Sequence, residues 1–267
     1  MSAENRSADY GIFRACFPQL KLTEELFIEL SGYDSGRVFR ADGGFAVVCG
    51  DRITLLAVHP QKQGRKIGSA LLEQCERHIC ASFDAARLGG EISPGATAES
   101  AEFFRNSGYT LGEEFCEMRL DLTDMKKPPI PEDITFAPYT GDIERLRAAV
   151  ASVDEEWVQY FTEDGSFFCG MRGDKIASFC ITDESCRCLI SDGTAKVGNI
   201  GCVGTVPSER KKGAGLAMVY LAGKMLAEMG CGAAFIHYTA LDGWYGKLGA
   251  ETVLKFRLGE KQLKQLK

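Results

Sequence analysis

The sequence predicts a mixed α/β protein built as two tandem domains, and three observations lead there. A unit of strand, Pro-closed turn, basic Gly-containing loop and amphipathic helix occurs twice, at 53–72 and at 199–228. Its landmarks keep one spacing, with Pro60 and Pro207 standing 147 positions apart, as do Gly68 and Gly215. Drift seldom preserves one offset at two landmarks unless a whole domain was duplicated. Between the copies, 123–133 (TDMKKPPIPED) holds three prolines in four residues, which fix φ and remove backbone donors as a stiff linker requires. The expected domains are therefore 1–122 and 134–267, joined by 123–133.

The first copy opens with helices at 8–18 and 23–31, the second announced by Thr23 followed by Glu24 and Glu25. Strands at 37–40, 44–50 and 52–59 follow, separated by Asp-Gly and Gly-Asp turns. A helix at 64–81 carries Ile67, Leu71, Leu72, Cys75 and Ile79 on one face. A short strand at 86–88 precedes a helix at 98–107 ended by Gly108, and closing strands are expected at 109–112 and 115–122. The second copy begins with a strand at 134–139. A helix capped by Asp142 and a helical turn at 155–161 come next. Strands are expected at 166–172, 176–183 and 196–206, with 184–194 as an irregular connection or an added hairpin. The second signature helix leads to a strand at 232–238, a helix at 241–248 ended by Gly249 and a strand at 251–258. The tail from Gly259 reads as a frayed polar end.

Composition narrows the functional classes. The chain of 267 residues is 45% hydrophobic and 25% charged, as in ordinary globular proteins. Its net charge of −6 offers no electrostatic basis for binding nucleic acid or an anionic membrane. No apolar run is long enough to span a bilayer, and the N-terminus lacks the basic start and apolar core of a secretory signal. Eleven scattered cysteines read as reduced thiols of a cytoplasmic protein rather than a disulfide framework. Cys186-x-Cys188 does not have zinc-knuckle spacing and the three histidines are dispersed, so no metal site is expected.

Chemistry concentrates at the loop Arg210-Lys211-Lys212-Gly213-Ala214-Gly215. A helix start leaves backbone N–H groups without partners and carries partial positive charge, which suits a diphosphate. Gly213 and Gly215 keep side chains away from those amides. The loop lacks the Gly-Lys-Ser/Thr of a P-loop and the G-x-G-x-x-G of a dinucleotide fold. Its pattern is strand, Val-Pro, R-x-x-G-x-G, helix; the first copy reads strand, Val-His-Pro, Q-x-x-K-x-G, helix. This pattern resembles the acetyl-coenzyme A site of the GCN5-related N-acetyltransferases, the GNAT superfamily, in a tandem form. The resemblance implies acetyl-coenzyme A as cosubstrate and a primary amine of a small molecule or peptide as acceptor. It implies a diphosphate held by Arg210, Lys211, Lys212, Gly213, Ala214 and Gly215, with the thioester beside Val203, Gly204 and Thr205. In the first copy the matching candidates are Val58, Gln63, Gly64, Arg65, Lys66 and Gly68.

Acetyl transfer needs donors for the carbonyl oxygen, a proton acceptor for the amine and a proton for the departing thiolate. The family carries a tyrosine for the last task on its final helix, and Tyr245 in Trp244-Tyr245-x-x-x-Gly249 falls on that position. A phenol stays protonated at neutral pH and can donate. The first copy has Phe104 there and Lys66 where the second has Gly213, so the resemblance implies catalysis in the second copy and a degenerate first one, which lacks the family's opening strand and could have its sheet completed by the strand at 251–258. Gly201 and Gly204 in the strand before the loop fit a bulge or a close backbone approach. No single base stands out among Asp183, Glu184, Asp192 and Glu155. The competing expectation is a coenzyme A-binding regulatory or scaffold protein without turnover.

Overall fold

A computed structural model of the chain describes residues 3–263. The elements run α1 (Ala3–Cys16), α2 (Glu24–Ser31), β1 (Arg37–Ala41), β2 (Gly44–Cys49), β3 (Arg52–Val58), α3 (Ile67–Cys80), β4 (Ala85–Leu88), α4 (Ala98–Asn106) and β5 (Thr110–Asp121). They continue with β6 (Thr135–Pro138), α5 (Ile143–Ala151), β7 (Phe167–Arg172), β8 (Lys175–Asp183), β9 (Lys196–Thr205), α6 (Ala214–Glu228), β10 (Cys231–Thr239), α7 (Asp242–Tyr245) and β11 (Glu251–Gln262). Hydrogen bonding gives the strand order β1-β2-β3-β4-β11 in one part of the chain and β10-β9-β8-β7-β6 in the other, each with parallel and antiparallel pairs. By contacts the chain forms two compact units, neither continuous in sequence. Among the described residues one comprises 3–116, 187–193 and 253–263, and the other 117–186 and 194–252.

In the first unit, β1, β2 and β3 form an antiparallel meander, and β4 lies parallel to β3 through only two pairs, Arg52↔Arg87 and Ile53↔Leu88. The amphipathic face of α3 packs on these strands, burying Leu71, Leu72, Cys75 and Ile79 against Ala46, Val48, Ile53 and Leu88. Thr23 caps α2 by accepting the Leu26 N–H, as its sequence position predicts. The sheet is completed from the far end of the chain, where β11 pairs antiparallel with β4 at Gly259↔Leu88 through Gln262↔Ala85. The expected donor was 251–258, and the pairing falls just beyond it. Gly259 to Gln262 are therefore strand rather than frayed tail, and the rest of that tail, 264–267, lies outside the described residues.

In the second unit, β9 pairs parallel with β10 and antiparallel with β8, and β7 and β6 extend the sheet. Helix α6 packs on it through Ala214, Ala217, Met218, Val219 and Leu226, all buried. Another cluster gathers Leu146 and Val150 of α5 with Phe161, Phe167 and Phe179. Asp142 caps α5 by accepting the Glu144 N–H. Two expectations change in detail. The two closing strands are one continuous strand, β5, because Gly112 stays extended rather than turning. The last helix is a single α turn continued by a 3-10 turn at Gly246–Leu248. Residues 184–194 are an irregular connection, one of the two forms expected, and Lys196 beside them pairs with Glu184.

Candidate functional site

The two basic loops are built alike. In the second unit Arg210 Nε donates to the carbonyl of Thr205, the last strand residue, at 3.2 Å. In the first, Gln63 Nε2 donates to the carbonyl of Val58 at 3.2 Å. The backbone bonds repeat too, with Gln63 N to Pro60 O and Arg210 N to Pro207 O both at 3.4 Å. Each loop then places two residues in the left-handed region, Gly64 (φ 75) and Lys66 (φ 61) in one, Lys211 (φ 62) and Gly213 (φ 83) in the other. Glycine and lysine have exchanged places between otherwise equivalent turns. Lys66 therefore does not distort the first loop; it caps α3 in the backbone conformation with which Gly213 caps α6.

The glycines serve the protein's own packing as much as any ligand. A Cβ on Gly215 would stand 2.6 Å from Thr205 Oγ1 and 3.4 Å from the Trp244 ring, and one on Gly204 would lie 2.1 Å from the Phe179 ring. Only a missing side chain permits these approaches. Gly213 is needed for its positive φ, and Pro131 is the nearest group to its missing Cβ, at 3.7 Å. The 123–133 segment thus reaches the start of α6. On the way Lys126 N–H donates to Leu248 O, and Met125 lies against Gly223. At its end Asp133 pairs with Arg172, which also donates to Glu209 of the loop. Desolvation pushes the Glu209 carboxyl up, but Arg172 and Lys212 more than offset this and hold it below its ordinary value. Of the three loop cations, Arg210 braces the strand end, Lys212 faces Glu209 at 3.5 Å, and Lys211 is exposed.

Beside each loop the parallel strands part. In the second unit β9 and β10 pair only as far as Asn199↔Phe235, leaving Ile200 to Thr205 diverging from Ile236 to Thr239. The register of β9 against β8 shifts between Phe179 and Ile181, and Cys202 there adopts φ 46. That is the bulge for which Gly201 and Gly204 are the sequence signal. Val206 N–H donates to Ala177 O across β8. Because strand amides alternate in direction, those of Thr205 and Val203 face away from β8, toward the opening. Tyr245 is buried on α7, its ring edge-on to Trp244 at 4.7 Å, and Trp244 touches the first turn of α6.

Sequence reasoning missed one pair here. Glu117 of β5 is fully buried, its Oε2 2.9 Å from His237 Nδ1 and accepting the Tyr238 N–H at 3.2 Å. Tyr238 holds φ 51 to make that bond. Burial, and then the charge of Glu117, push its phenol above the ordinary range. His237 was discounted because no metal partner stood near it in sequence; its partner lies 120 residues away.

In the first unit the parting strands open on a cavity of about 950 Å³. Val58, Gln63, Gly64, Lys66, Gly68, Phe103 and Phe104 line it, with the Phe103 ring next to Gly68. Its volume lies near the top of the range of roughly 300–1,000 Å³ for small-molecule sites. Cys16 at its rim donates to Val58 O at 3.3 Å, and burial pushes its thiol up. Phe104, 7% exposed, packs edge-on against Phe103 and Tyr109 and brings no ionisable group.

Parted parallel strands, a bulge, and a left-handed basic loop opening a helix make a distinctive combination, and comparison with known proteins places it. Residues 33–128 match the acetyltransferase (GNAT) domain family. The fold is the GNAT fold. A glucosamine N-acetyltransferase region of a fungal multi-domain GH3 β-N-acetylglucosaminidase aligns over 97% of this chain with a TM-score of 0.71 and 19% identity. This chain spans 37% of that protein's length. A GCN5-related N-acetyltransferase from Kribbella flavida aligns over 91% of this chain and 95% of its own, with a TM-score of 0.59 and 18% identity. A tandem GNAT protein from the clavulanic acid biosynthesis pathway aligns over 96% of both chains, with a TM-score of 0.56 and 11% identity. No curated protein matches the chain by sequence. No helix among the described residues is long and apolar enough to cross a membrane, and no group of His, Cys, Asp or Glu among them could hold a metal.

Proposed function

We propose that this protein is an N-acetyltransferase of two tandem GNAT-like halves, 1–122 and 134–267, that moves an acetyl group from acetyl-coenzyme A to a primary amine. The observation that carries the proposal is the twice-built cleft of parted strands leading to a left-handed, cationic loop at a helix start. The residues fit the cosubstrate: helix-start amides, which have no intrahelical partners, and the exposed Lys211 suit a diphosphate, and the Val203 and Thr205 amides face the opening where a thioester would lie. Acetyl-coenzyme A would supply the activated acetyl group.

Chemistry belongs to the second half in this proposal. Val203 and Thr205 would hold the carbonyl oxygen, and Tyr245 would protonate the departing sulfur. Backbone strain supports that half. Among the described residues four non-glycines have positive φ, and three of them, Cys202, Lys211 and Tyr238, lie on its strands and loop. Such strain persists where surrounding structure enforces it, commonly at functional sites. The acceptor is a small-molecule or peptide amine; an amino sugar is the first to try, given the glucosamine N-acetyltransferase region named above.

A second reading rests on the cavity, lined mainly by residues of the first half with Val253 to Lys255 of β11, and on the family match over residues 33–128. There Val58, Gln63, Gly64, Arg65, Lys66 and Gly68 would hold coenzyme A, and with Phe104 in the tyrosine's position binding would occur without turnover. Thiol release from acetyl-coenzyme A with glucosamine, ethanolamine and short peptides tests the activity. Tyr245→Phe should lower kcat by about 10²-fold or more, the usual scale for a general acid, with the fold intact. Full kcat would make Tyr245 a packing residue. If no amine elicits release while calorimetry shows coenzyme A binding, the non-catalytic reading stands.

A further inference from the structure

Glu117 is the one fully buried carboxylate of the second unit, with no lysine or arginine paired to it among the described residues. A buried carboxylate is costly unless hydrogen-bonded, and this one is satisfied only in part. Oε2 serves both the Tyr238 N–H and the His237 ring, while Oε1 is buried without a hydrogen-bond partner among the described residues. A glutamine would serve the Tyr238 amide as well, so the amide alone does not account for a carboxylate here. The imidazole does. The His237 side chain is 54% exposed, so the pair joins a buried anion to a solvent-reachable ring rather than filling the core.

Its position is specific. β9 and β10 separate after Asn199↔Phe235, and continuing that register sets His237 opposite Gly201, beside the bulge at Cys202. Both strands are distorted there, by φ 46 at Cys202 and φ 51 at Tyr238. Around the ring stand Glu117 from β5, the Phe235 ring at 5.6 Å and the Tyr238 ring at 5.9 Å.

We infer that His237 is the proton acceptor for the amine in the second-half cleft, and that Glu117 is the positioning residue that orients it. This rests on the transfer reading above. The carboxylate can only accept, so Nδ1 carries the proton toward Glu117, and Nε2 is the nitrogen that takes up another. As a neutral amine bonds through nitrogen to the acetyl carbonyl carbon, one N–H proton passes to Nε2. The carbon–sulfur bond breaks with its electron pair on sulfur, and the thiolate takes the proton of Tyr245. The imidazolium returns a proton to the tyrosine through solvent. One proton has then moved from amine to thiol, and none is gained or lost. None of the carboxylates considered from sequence is needed; Glu184 is paired with Lys196, and Asp183 accepts the Ser185 N–H.

The test is steady-state thiol release from acetyl-coenzyme A, with ethanolamine as a generic primary amine and with water alone. His237→Ala should lower kcat by about 10²-fold or more, leave KM for acetyl-coenzyme A unchanged, and recover part of its rate in added imidazole. A merely structural role would not give that recovery. Glu117→Gln keeps an acceptor for the Tyr238 amide, so it should fold normally and still lose about tenfold or more in kcat. Wild-type kcat in either variant, or a loss in His237→Ala that imidazole leaves untouched, overturns the inference alone. No release by the unmodified protein under either condition overturns the transfer reading with it.

Discussion

Lysine is a poor occupant of the left-handed region, because its Cβ crowds the backbone there, yet Lys66 and Lys211 both hold it. In each loop the companion left-handed position is glycine, so each turn carries one strained residue and one relaxed one. Lys66→Gly should therefore raise thermal stability by up to ~1 kcal/mol, the relief being partly offset by the freedom glycine regains in the unfolded chain. Gly213→Ala should cost about 1 kcal/mol, since nothing but φ opposes it; its nearest neighbour, Pro131, is at contact distance. Melting curves check both, and a destabilised Lys66→Gly variant would mean that the lysine side chain makes a contact worth more than the strain. The residue types at these positions were legible in the sequence as loop chemistry. Their equivalence was not, because a glycine and a lysine standing in each other's places look like divergence until the dihedral angles are known.

At the scale of elements, the decisive feature is the disturbed pairing of β9. Gly201 and Gly204 signal it in the sequence, since glycine weakens a strand and tolerates close approach. The bulged residue, however, is Cys202, and the reason for Gly204 is the Phe179 ring pressed against its backbone. Gly204→Ala should therefore cost roughly 1–3 kcal/mol, the usual scale of overpacking. Urea denaturation monitored across the second unit measures this, and an unchanged midpoint would show that Phe179 moves aside freely. The final helix was legible as an element but not in its form: Tyr245 ends a four-residue α turn, and only packing shows it buried beside Trp244. Glu117 and His237 were invisible as a pair, because strand periodicity says which face a residue occupies and nothing about a partner 120 positions away.

At the scale of the whole molecule, the chain's end belongs to its beginning. Gly259 to Gln262 pair with β4, Leu263 N–H donates to Asp84 O, Glu260 pairs with Arg87, and Lys261 reaches Glu76. Ending the chain at Leu258 removes those four pairs and leaves β4 held by two pairs to β3. At about 0.5–1.5 kcal/mol for each net hydrogen bond, the first unit should lose ~3 kcal/mol. Hydrogen exchange should show protection falling at Ala85–Leu88 while β8, β9 and β10 keep theirs. Uniform loss in both units would instead indicate that they unfold as one cooperative body.

Local physics written along the chain determined much of this protein. Hydrophobic periodicity marked α3 and α6, Thr23 and Asp142 marked the starts of α2 and α5, and Gly108 and Gly249 marked helix ends, because caps and amphipathic faces depend on residues a few positions apart. The constant offset between Pro60–Gly68 and Pro207–Gly215 exposed two like-built strand–loop–helix segments without any coordinates. What only the tertiary structure decided depends on residues far apart in the chain. Strand partners, the point at which parallel strands separate, the cavity beside Val58 and the imidazole set on Glu117 all arise from elements that chain order does not bring together. Backbone hydrogen bonding fixes a strand but not its neighbour, and a buried carboxylate acquires its chemistry from whatever the fold sets against it.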